Sequence, residues 1–239
     1  MARSFNGLSD RIQSAITNFP TGTTVRSIFC WINCPVQSPS GIHCFFSYGG
    51  TPGANSAVYF SVDTNLLHVD SYGTGWDSTV NVATSTWRPV GFTWDGTTTR
   101  TYVDGVQDST NAGNAFNTTT TIPTADFGTD EHNGAGSYSR FFNGSIAEVA
   151  IWNVVLTVSE AAALAKGARS NTVRSASLKG YWPLGGAQSP EPDFSGLANN
   201  GTLTGTNPAF GPPLMQFTPR WPQIFPLPSP FILMPQIVT

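Results

Sequence analysis

Tight-turn signals recur at short intervals along the first two thirds of this 239-residue chain, and they separate short runs of apolar residues. Asp95-Gly96 and Asp104-Gly105 enclose Thr99–Val103, a run too short for a typical helix. Residues 57–70 contain two apolar runs on either side of Asp63-Thr64-Asn65, which predicts a second hairpin. Many short strands at this spacing indicate an all-β sandwich, in which two antiparallel sheets bury their apolar faces against each other.

One segment has the pattern of a helix instead. Thr157-Val158-Ser159-Glu160 is a capping box, in which the Thr157 hydroxyl accepts from the amide of Glu160 and the Glu160 carboxylate accepts from the amide of Thr157. The residues from 161 to 166 are good helix formers, and Gly167 is a typical helix stop. The sequence therefore predicts one short helix, of about two and a half turns, after the main series of strands.

Charged residues are scarce, at 10% of the chain, and the formal net charge is −3. Proteins that bind nucleic acid need a basic field, and no cluster of Lys or Arg is present in this sequence. We therefore expect no nucleic-acid partner. The region after Met1 has no apolar segment typical of a signal peptide, so we expect the protein to be made and assembled in a cytoplasm.

The three cysteines are Cys30, Cys34 and Cys44, and an odd number cannot all pair within one chain. A disulfide between Cys34 and Cys44 and a set of buried thiols both remain open on the sequence alone. A metal site that adds His43 is disfavoured, because His43 and Cys44 are consecutive and would point to opposite faces of a strand.

The C-terminal segment, residues 211–239, differs in composition from the rest of the chain. It combines eight prolines with many large apolar residues, and Arg220 is its only charged side chain. Because prolines break helices, this segment is not a membrane span, and we expect no membrane insertion. We interpret residues 1–210 as one domain and residues 211–239 as an extended arm that packs on a neighbouring subunit. The arm residues expected to make that contact are Phe217, Trp221, Ile224, Phe225, Phe231 and Ile232.

Four stretches, taken in order, resemble the laminin-G-like branch of the concanavalin A-like lectin/glucanase superfamily. They are residues 4–12 (SFNGLSDRI), 87–96 (from Trp87 to Gly96), 101–105 (TYVDG) and 142–153 (FNGSIAEVAIWN). The resemblance covers about residues 3–167 and implies a concanavalin A-like jelly-roll sandwich of two antiparallel sheets. Residues 178–206 return to strand character, and their place in the chain looks circularly permuted relative to many members. Chains of this arrangement are similar to structural proteins of phage and metagenomic origin.

The same superfamily includes glycosidases, whose reaction requires two carboxylates near the scissile bond. In the glucanase branch these carboxylates come from one strand with an E-x-D-x-x-E run. Glu148 lies in a strand-like run but has no acidic neighbour two residues away, and the helix cap accounts for Glu160. We therefore predict that the protein is not an enzyme.

A sugar-binding site typically combines an exposed aromatic ring with amide and acid groups in a loop. Trp76 is the best candidate, because it lies in a Gly-rich segment together with Tyr72, Asp77 and Asn81. The alternative role for Trp76 is to cover the core or to contact a neighbouring subunit.

A calcium site is a further implication of the resemblance. Asp10 matches an acidic position after the first turn, and Asp126 and Asp130 belong to the densest group of potential oxygen ligands in the chain. The alternatives are that Asp10 is a turn residue and that the other two lie in a solvated loop.

Two functional hypotheses of different class follow. In the first, the protein is a non-catalytic structural protein of a virion, namely a phage capsid decoration protein whose arm clamps neighbouring subunits and whose surface displays a glycan-binding face. Its partners would then be further copies of itself, as a trimer, the major capsid protein or another virion protein, and cell-surface glycans. In the alternative, the chain is a carbohydrate-binding, lectin-like module that is not tied to a virion.

Overall fold

The structure is a computed structural model, and it describes residues 1–50, 53–113, 115–131, 134–186 and 188–214. Two antiparallel sheets pack face to face within these residues, so the predicted all-β sandwich is confirmed. Sheet A consists of β1 (Ala2–Asn6), β3 (Arg26–Asn33), β8 (Arg88–Trp94), β9 (Thr99–Val103), β10 (Val106–Asn111), β12 (Asn143–Trp152), β13 (Leu178–Trp182) and β15 (Asn207–Ala209). Sheet B consists of β2 (Arg11–Ala15), β4 (Ile42–Gly49), β5 (Ala57–Asp63), β6 (Leu66–Asp70), β7 (Gly75–Asn81), β11 (Thr124–Phe127) and β14 (Thr202–Thr204).

The strand order of sheet A is β10-β9-β8-β3-β12-β1-β15, and β13 also pairs with β12. The strand order of sheet B is β14-β2-β11-β4-β5-β6-β7. Strands from the start and the end of the chain therefore lie side by side, since β1 pairs with β15 and β2 pairs with β14. The hairpins predicted from the turn signals are present as β5–β6, β8–β9 and β9–β10.

The core lies between the two sheets and is rich in aromatic rings. Phe60 of sheet B contacts Phe92 of sheet A with ring centroids 5.3 Å apart, and Phe127 contacts Trp182 with centroids 5.0 Å apart. These rings are all essentially inaccessible to solvent. Because side chains alternate between the two faces of a strand, the residues between these aromatics point to the outer face of each sheet.

The predicted helix is confirmed as α1 (Val158–Ala165), and both bonds of its capping box are present. Its buried face, which includes Ala161 and Leu164, packs on the outer face of sheet A against Trp152 and Tyr102. Two 3₁₀ turns, Ser170–Thr172 and Ser175–Ser177, connect α1 to β13. The helix and its following connection therefore cover one end of sheet A and leave the rest of that outer face to other segments.

All three cysteines are free and buried, which decides the question that the sequence left open. Burial raises the pKa of the Cys34 thiol to about 12, so this thiol is protonated at ordinary pH. Among the described residues, no helix has both the length and the apolar character needed to span a membrane.

The six arm residues named above, from Phe217 to Ile232, lie outside the described residues. The first residues of the arm are described as far as Leu214, which packs with Ala2, Trp31 and Ala147 on the outer face of sheet A.

Candidate functional site

A β-bulge in β12 places a carboxylate on the outer face of sheet A. The pairing of β12 with β3 shifts between Ala147 and Ala150, so that two residues, Glu148 and Val149, occupy the space of one. Glu148 has a left-handed backbone with φ of 54°, which is rare for a residue with a side chain. Its carboxylate accepts a hydrogen bond from the Tyr181 hydroxyl of β13, although only 5% of Glu148 is exposed.

The bulge lies at a gap in sheet A. β1 pairs with residues 143–146 of β12, whereas β13 pairs with residues 149–152 along the same edge. The two strands therefore follow one another along β12 and leave Glu148 between their ends. Beside this gap is a cleft. It is lined by Arg169, Asn171, Tyr181, and, from the connection that follows β13, Pro183, Gly185, Gln188, Glu191, Pro192 and Phe194.

One wall of the cleft is a turn that is bonded to β13. The Tyr181 amide donates to Asp193 Oδ1 at 3.0 Å, and the Phe194 amide donates to the Tyr181 carbonyl at 2.7 Å. Asp193 also accepts from the amides of Ser195 and Asn199, which is the pattern of an Asx turn. These bonds hold the Phe194 ring 6.3 Å from the Tyr181 ring, with 55% of Phe194 exposed.

The opposite wall depends on a buried ion pair. Arg3 Nε lies 3.0 Å from Glu191 Oε2, and the two side chains are only 5% and 2% exposed. Arg3 also donates from Nη2 to the carbonyl of Gln188, at 2.5 Å. Because a buried charge must be paired and hydrogen-bonded, Arg3 fixes both Gln188 and Glu191 in place.

Arg169 supplies a positive charge that faces solvent at the cleft. Its Nη1 lies 3.8 Å from Glu148 Oε1, and its side chain is 53% exposed. Burial raises the pKa of Glu148, while the Tyr181 hydroxyl and the Arg169 charge act in the opposite direction. Burial and the neighbouring Glu148 charge raise the pKa of Tyr181, and a hydrogen bond to Tyr181 raises the pKa of Arg169. Tyr181 is therefore a neutral donor at ordinary pH, and Arg169 is a cation that still faces solvent.

The cleft has a volume of about 470 Å³, which falls within the usual range of about 300–1,000 Å³ for small-molecule sites. Its polar and aromatic lining residues are Arg169, Asn171, Gln188, Glu191, Tyr181 and Phe194. The guanidinium and the two amides can hydrogen-bond to hydroxyl groups, and the two rings offer apolar faces. This combination suits a ligand that is polar at its rim and apolar on its face.

The region around Asp126 on the outer face of sheet B is also polar, but it is closed. Gln13 Nε2 donates to Asp126 Oδ1 at 3.0 Å and reaches Glu131 Oε1 at 3.4 Å. Asp126 is 1% exposed and Glu131 is 5% exposed. Burial, and then the neighbouring Glu131 charge, raise the pKa of Asp126 to about 8.

The three candidate calcium ligands do not share one environment. Asp130 contributes to the electrostatic field at Asp126, and it pairs with Arg140 at 3.2 Å. Asp10 lies in the turn between β1 and β2, where its carboxylate accepts from the amide of Asn6 at 3.0 Å. The structure thus brings Asp126 and Asp130 together and gives Asp10 the contacts of a turn residue.

The four candidate glycan-binding residues lie in one corner of sheet B. Trp76 of β7 is opposite Val69, and its indole Nε1 donates to Ser109 of β10 in the other sheet at 2.9 Å. Asp77 is opposite His68 and accepts from its Nδ1 at 2.7 Å. Consecutive residues of a strand point to opposite faces, so Trp76 and Asp77 cannot contact the same sugar ring.

The other two members of that set are held by their own turns. The Tyr72 amide donates to Asp70, and the Tyr72 ring lies 6.5 Å from the Tyr59 ring. Asn81 is exposed, and its side-chain oxygen accepts from the amide of Ala83. A separate set in the same corner, which includes Asp77, has ligand atoms suited to a metal ion and is described below.

The cleft residues Tyr181, Phe194 and Arg169, and Glu148 which contacts two of them, were not among the candidates that the sequence suggested. The signal that could have found them is the segment from Asp193 to Gly196, where a large aromatic residue stands between residues that favour a turn. An aromatic residue at such a place is directed to the surface, since the turn itself cannot be buried.

Comparison with known proteins gives a match to one family. Residues 6–162, which are more than half of the chain, match the model of a laminin-G-type family. That family is described as the concanavalin A-like lectin/glucanases superfamily. No curated protein sequence matches the chain.

Solved structures with the same fold include carbohydrate-binding proteins. A proposed carbohydrate-binding protein from Bacteroides ovatus has a TM-score of 0.63 at 20% identity, over 86% of this chain and 58% of that protein. The CBM40 of the IT-sialidase from Ruminococcus gnavus, bound to α2,3-sialyllactose, has a TM-score of 0.51 at 16% identity, over 69% of this chain and 98% of that one. Domain 4 of the arabinanase AbnA from Geobacillus stearothermophilus, in complex with arabinotriose, has a TM-score of 0.50 at 20% identity. The match covers 69% of this chain and 76% of that one. At these identities the likeness establishes the fold, and the chain spans little more than half of the first of these proteins.

Proposed function

This chain belongs to the concanavalin A-like lectin/glucanase superfamily, and we propose that it is a non-catalytic carbohydrate-binding module that holds a sugar in the cleft beside Tyr181 and Phe194. The observation that carries the proposal is the exposed Phe194 ring, which is held beside the cleft by two hydrogen bonds to the backbone of Tyr181, one from the Phe194 amide and one to the Asp193 carboxylate. A single exposed phenylalanine is unremarkable in itself. Its fixed position beside a charged and amide-rich cleft is what points to a ligand.

The chemistry of the cleft matches that of a sugar ring. A pyranose presents an apolar face of C–H groups and a rim of hydroxyl groups, so it binds where an aromatic ring lies beside hydrogen-bonding groups. Phe194 and Tyr181 provide the rings, and Asn171, Gln188 and Arg169 line the same cleft. Arg169 has unused donors, which would suit a hydroxyl or a carboxylate of the sugar.

Binding without catalysis is favoured by the way the acids of the cleft are used. Glu148 accepts from Tyr181, and Glu191 is paired with the buried Arg3. Glycoside hydrolysis would need one carboxyl group to act as an acid and a second to act as a nucleophile or base. The ligands named for the neighbours, sialyllactose and arabinotriose, support carbohydrate as the ligand class.

The test is a glycan array with the full chain, followed by calorimetry with the best ligand. The variant Phe194→Ala should weaken binding by at least tenfold, which corresponds to about 1.4 kcal/mol. The matched control is Phe210→Ala, because Phe210 is a 95% exposed phenylalanine that does not line the cleft. Absence of any glycan ligand, or equal affinity of the two variants, would contradict the proposal.

A second proposal concerns assembly. We propose, as in the first hypothesis from the sequence, that the chain is a phage capsid decoration protein whose arm clamps a neighbouring subunit in a trimer. The observation that favours it is an apolar hollow of about 240 Å³ at the start of the arm, lined by Met1, Pro208, Ala209 and Phe210. Met1 and Phe210 are 66% and 95% exposed there, and exposed apolar groups that adjoin one another are typical of interaction surfaces.

Light scattering on the full chain and on residues 1–210 tests the assembly proposal. An oligomer that becomes a monomer on truncation is the expected result, followed by loss of binding to a capsid. Equal masses of the two proteins would contradict it, and retained particle binding by the truncated protein would do the same. The glycan-binding proposal predicts that the truncated protein keeps its sugar affinity, so the two proposals can be separated.

A further inference from the structure

Three neighbouring strands of sheet B bring one imidazole and two carboxylates together on the outer face of the sheet. β5 ends at Asp63, His68 lies in the middle of β6, and Asp77 lies opposite His68 on β7. One potential ligand atom of each residue lies within 4.8 Å of the others. Two ligands of one Zn²⁺ ion, at bonds of about 2.0–2.2 Å, can be at most about 4.4 Å apart. A rotation of the exposed Asp77 side chain and the half-buried Asp63 side chain would therefore bring all three residues to one ion.

The His68 imidazole is held in a fixed position, as is common for imidazoles that bind metal ions. The His68 side chain is only 8% exposed, and its ring packs against Gly75, where an added Cβ would lie 2.4 Å from Cε1. Nδ1 lies 2.7 Å from Asp77 Oδ1. A ring fixed in this way loses no further freedom when a ligand binds to it.

The second ring nitrogen supports the same interpretation. His68 Nε2 is buried and has no hydrogen-bond partner among the residues that the structure describes. Asp70 Oδ2 lies 3.8 Å away, and Asp70 is itself held by the amide of Tyr72. Histidines that bind a metal through one nitrogen commonly donate the other N–H to a carboxylate, which fixes the ring and increases its basicity. Asp70 is the nearby carboxylate that could take that role, after its oxygen moves to within hydrogen-bond distance of Nε2.

We infer that Asp63, His68 and Asp77 form a binding site for a divalent transition-metal ion, for which Zn²⁺ is the appropriate probe. One nitrogen and two carboxylate oxygens are a borderline donor set that suits zinc, whereas calcium prefers oxygen ligands alone. The Asp77 side chain is 49% exposed, so the remaining coordination positions face solvent. The competing explanation is an ordinary ion pair between His68 and its neighbouring aspartates, and the experiment below separates the two.

The test measures zinc bound by the full chain. Protein is stripped with a chelator, dialysed against Zn²⁺, and analysed by elemental mass spectrometry and by titration, and Co²⁺ is used in parallel because its visible spectrum reports nitrogen and oxygen ligands. We expect one zinc ion per chain. Asp77→Asn and Asp63→Asn should each weaken zinc binding by at least tenfold. Both substitutions keep the size of the side chain, and circular dichroism checks that the variants are folded.

The matched control is Asp104→Asn. The Asp104 side chain is 50% exposed and pairs with Arg88 at 2.9 Å, so it resembles Asp77 in exposure and in having a basic partner. It should leave zinc binding unchanged. Failure of the full chain to take up a stoichiometric zinc ion would overturn the inference. Unchanged zinc binding in both Asp63→Asn and Asp77→Asn would also overturn it, because the ion would then be held elsewhere, for example by thiols.

The zinc inference and the glycan proposal rest on different sheets and use different readouts. Zinc binding does not involve the cleft, and the affinity for a sugar does not involve His68. A negative zinc result would therefore leave the proposed function untouched.

Discussion

The cleft beside Glu148 and the covered region around Asp126 and Glu131 both have carboxylates on the outer face of a sheet, yet of these two regions only the cleft is open to solvent. At the cleft, Phe194 is 55% exposed and Arg169 faces solvent, and the cleft has a volume of about 470 Å³. On sheet B, Asp126 and Glu131 are almost completely buried. Polar side chains on an outer face therefore do not by themselves mark a binding site, because access for a ligand is decided by the segments that cross that face.

The difference has a topological cause. On sheet A, β1 and β13 share one edge of β12 and leave a gap at the bulge. On sheet B, the chain after β11 returns across the sheet, and Asp130 and Ser139 exchange backbone hydrogen bonds where it turns back. The gap between the ends of β1 and β13 leaves room for a cleft, whereas the segment after β11 covers the carboxylates beneath it. Substitutions in the two regions should therefore have different consequences.

The largest effect is expected for Arg3→Met, which removes the buried cation under the cleft. Glu191 would keep its charge in a buried site without a partner, and Gln188 would lose a donor. Breaking one side of a buried ion pair costs about 3–5 kcal/mol. We expect a loss of that size in the free energy of unfolding measured with guanidinium chloride, together with loss of sugar binding.

The control for this prediction is Arg100→Met, which breaks the pair with Asp95. Those two side chains are 31% and 30% exposed, so the loss should be below about 1 kcal/mol. The double variant Arg3→Met, Glu191→Met should recover part of the stability, since it removes both buried charges. If Arg3→Met and Arg100→Met lower the free energy of unfolding by the same amount, the buried pair of Arg3 and Glu191 does not stabilise the cleft more than an exposed pair would.

An intermediate and pH-dependent effect is expected for Asp126→Asn on the closed face. The pKa of Asp126 is about 8 in the folded protein, against about 3.9 in an unfolded chain. Between these values the folded state holds a proton that the unfolded state has lost, so this group's contribution to stability is present at low pH and is lost as the pH rises towards 8. The stability of Asp126→Asn relative to the parent should therefore increase as the pH rises over this range.

Denaturant unfolding of both proteins at pH 5, 7 and 9 measures this difference. A difference that does not change with pH would mean that Asp126 is not held in its neutral form. The same series with added Ca²⁺ tests the calcium site predicted from the sequence. If Asp126 and Asp130 bind calcium, the ion should restore the stability of the parent at pH 9 and should have no such effect on Asp126→Asn.

The fold could be predicted from the sequence because its signals are local. Asp95-Gly96 and Asp104-Gly105 specify turns whatever the rest of the chain does, and the capping box at Thr157 and Glu160 specifies the start of α1. The strands between such signals had to be short and half-buried, which is enough to indicate two packed sheets. The laminin-G-like resemblance agreed with these signals and is confirmed by the family match.

The cleft could not be predicted in the same way, because it depends on pairings between distant residues. Glu148 lies in an alternating run that suggests a regular strand, and the bulge that turns it outward appears only when β12 is paired with β3. Arg3 and Glu191 are 188 residues apart in the chain. Tyr181 and Phe194 are 13 residues apart, and nothing in their spacing says that their rings lie side by side at one cleft.

The smallest effect is expected for Trp76→Phe, and it decides between the sequence-based sugar site and the cleft. The substitution keeps an aromatic ring but removes the bond from Nε1 to Ser109, which joins the edges of the two sheets. Ser109 retains its bond to Thr101, so the loss in unfolding free energy should be about 1 kcal/mol. Affinity for the sugar should not change, whereas Phe194→Ala should lower it. The reverse result, with sugar affinity lowered by Trp76→Phe and unaffected by Phe194→Ala, would move the binding site from the cleft to the corner of sheet B that Trp76 shares with Asp77.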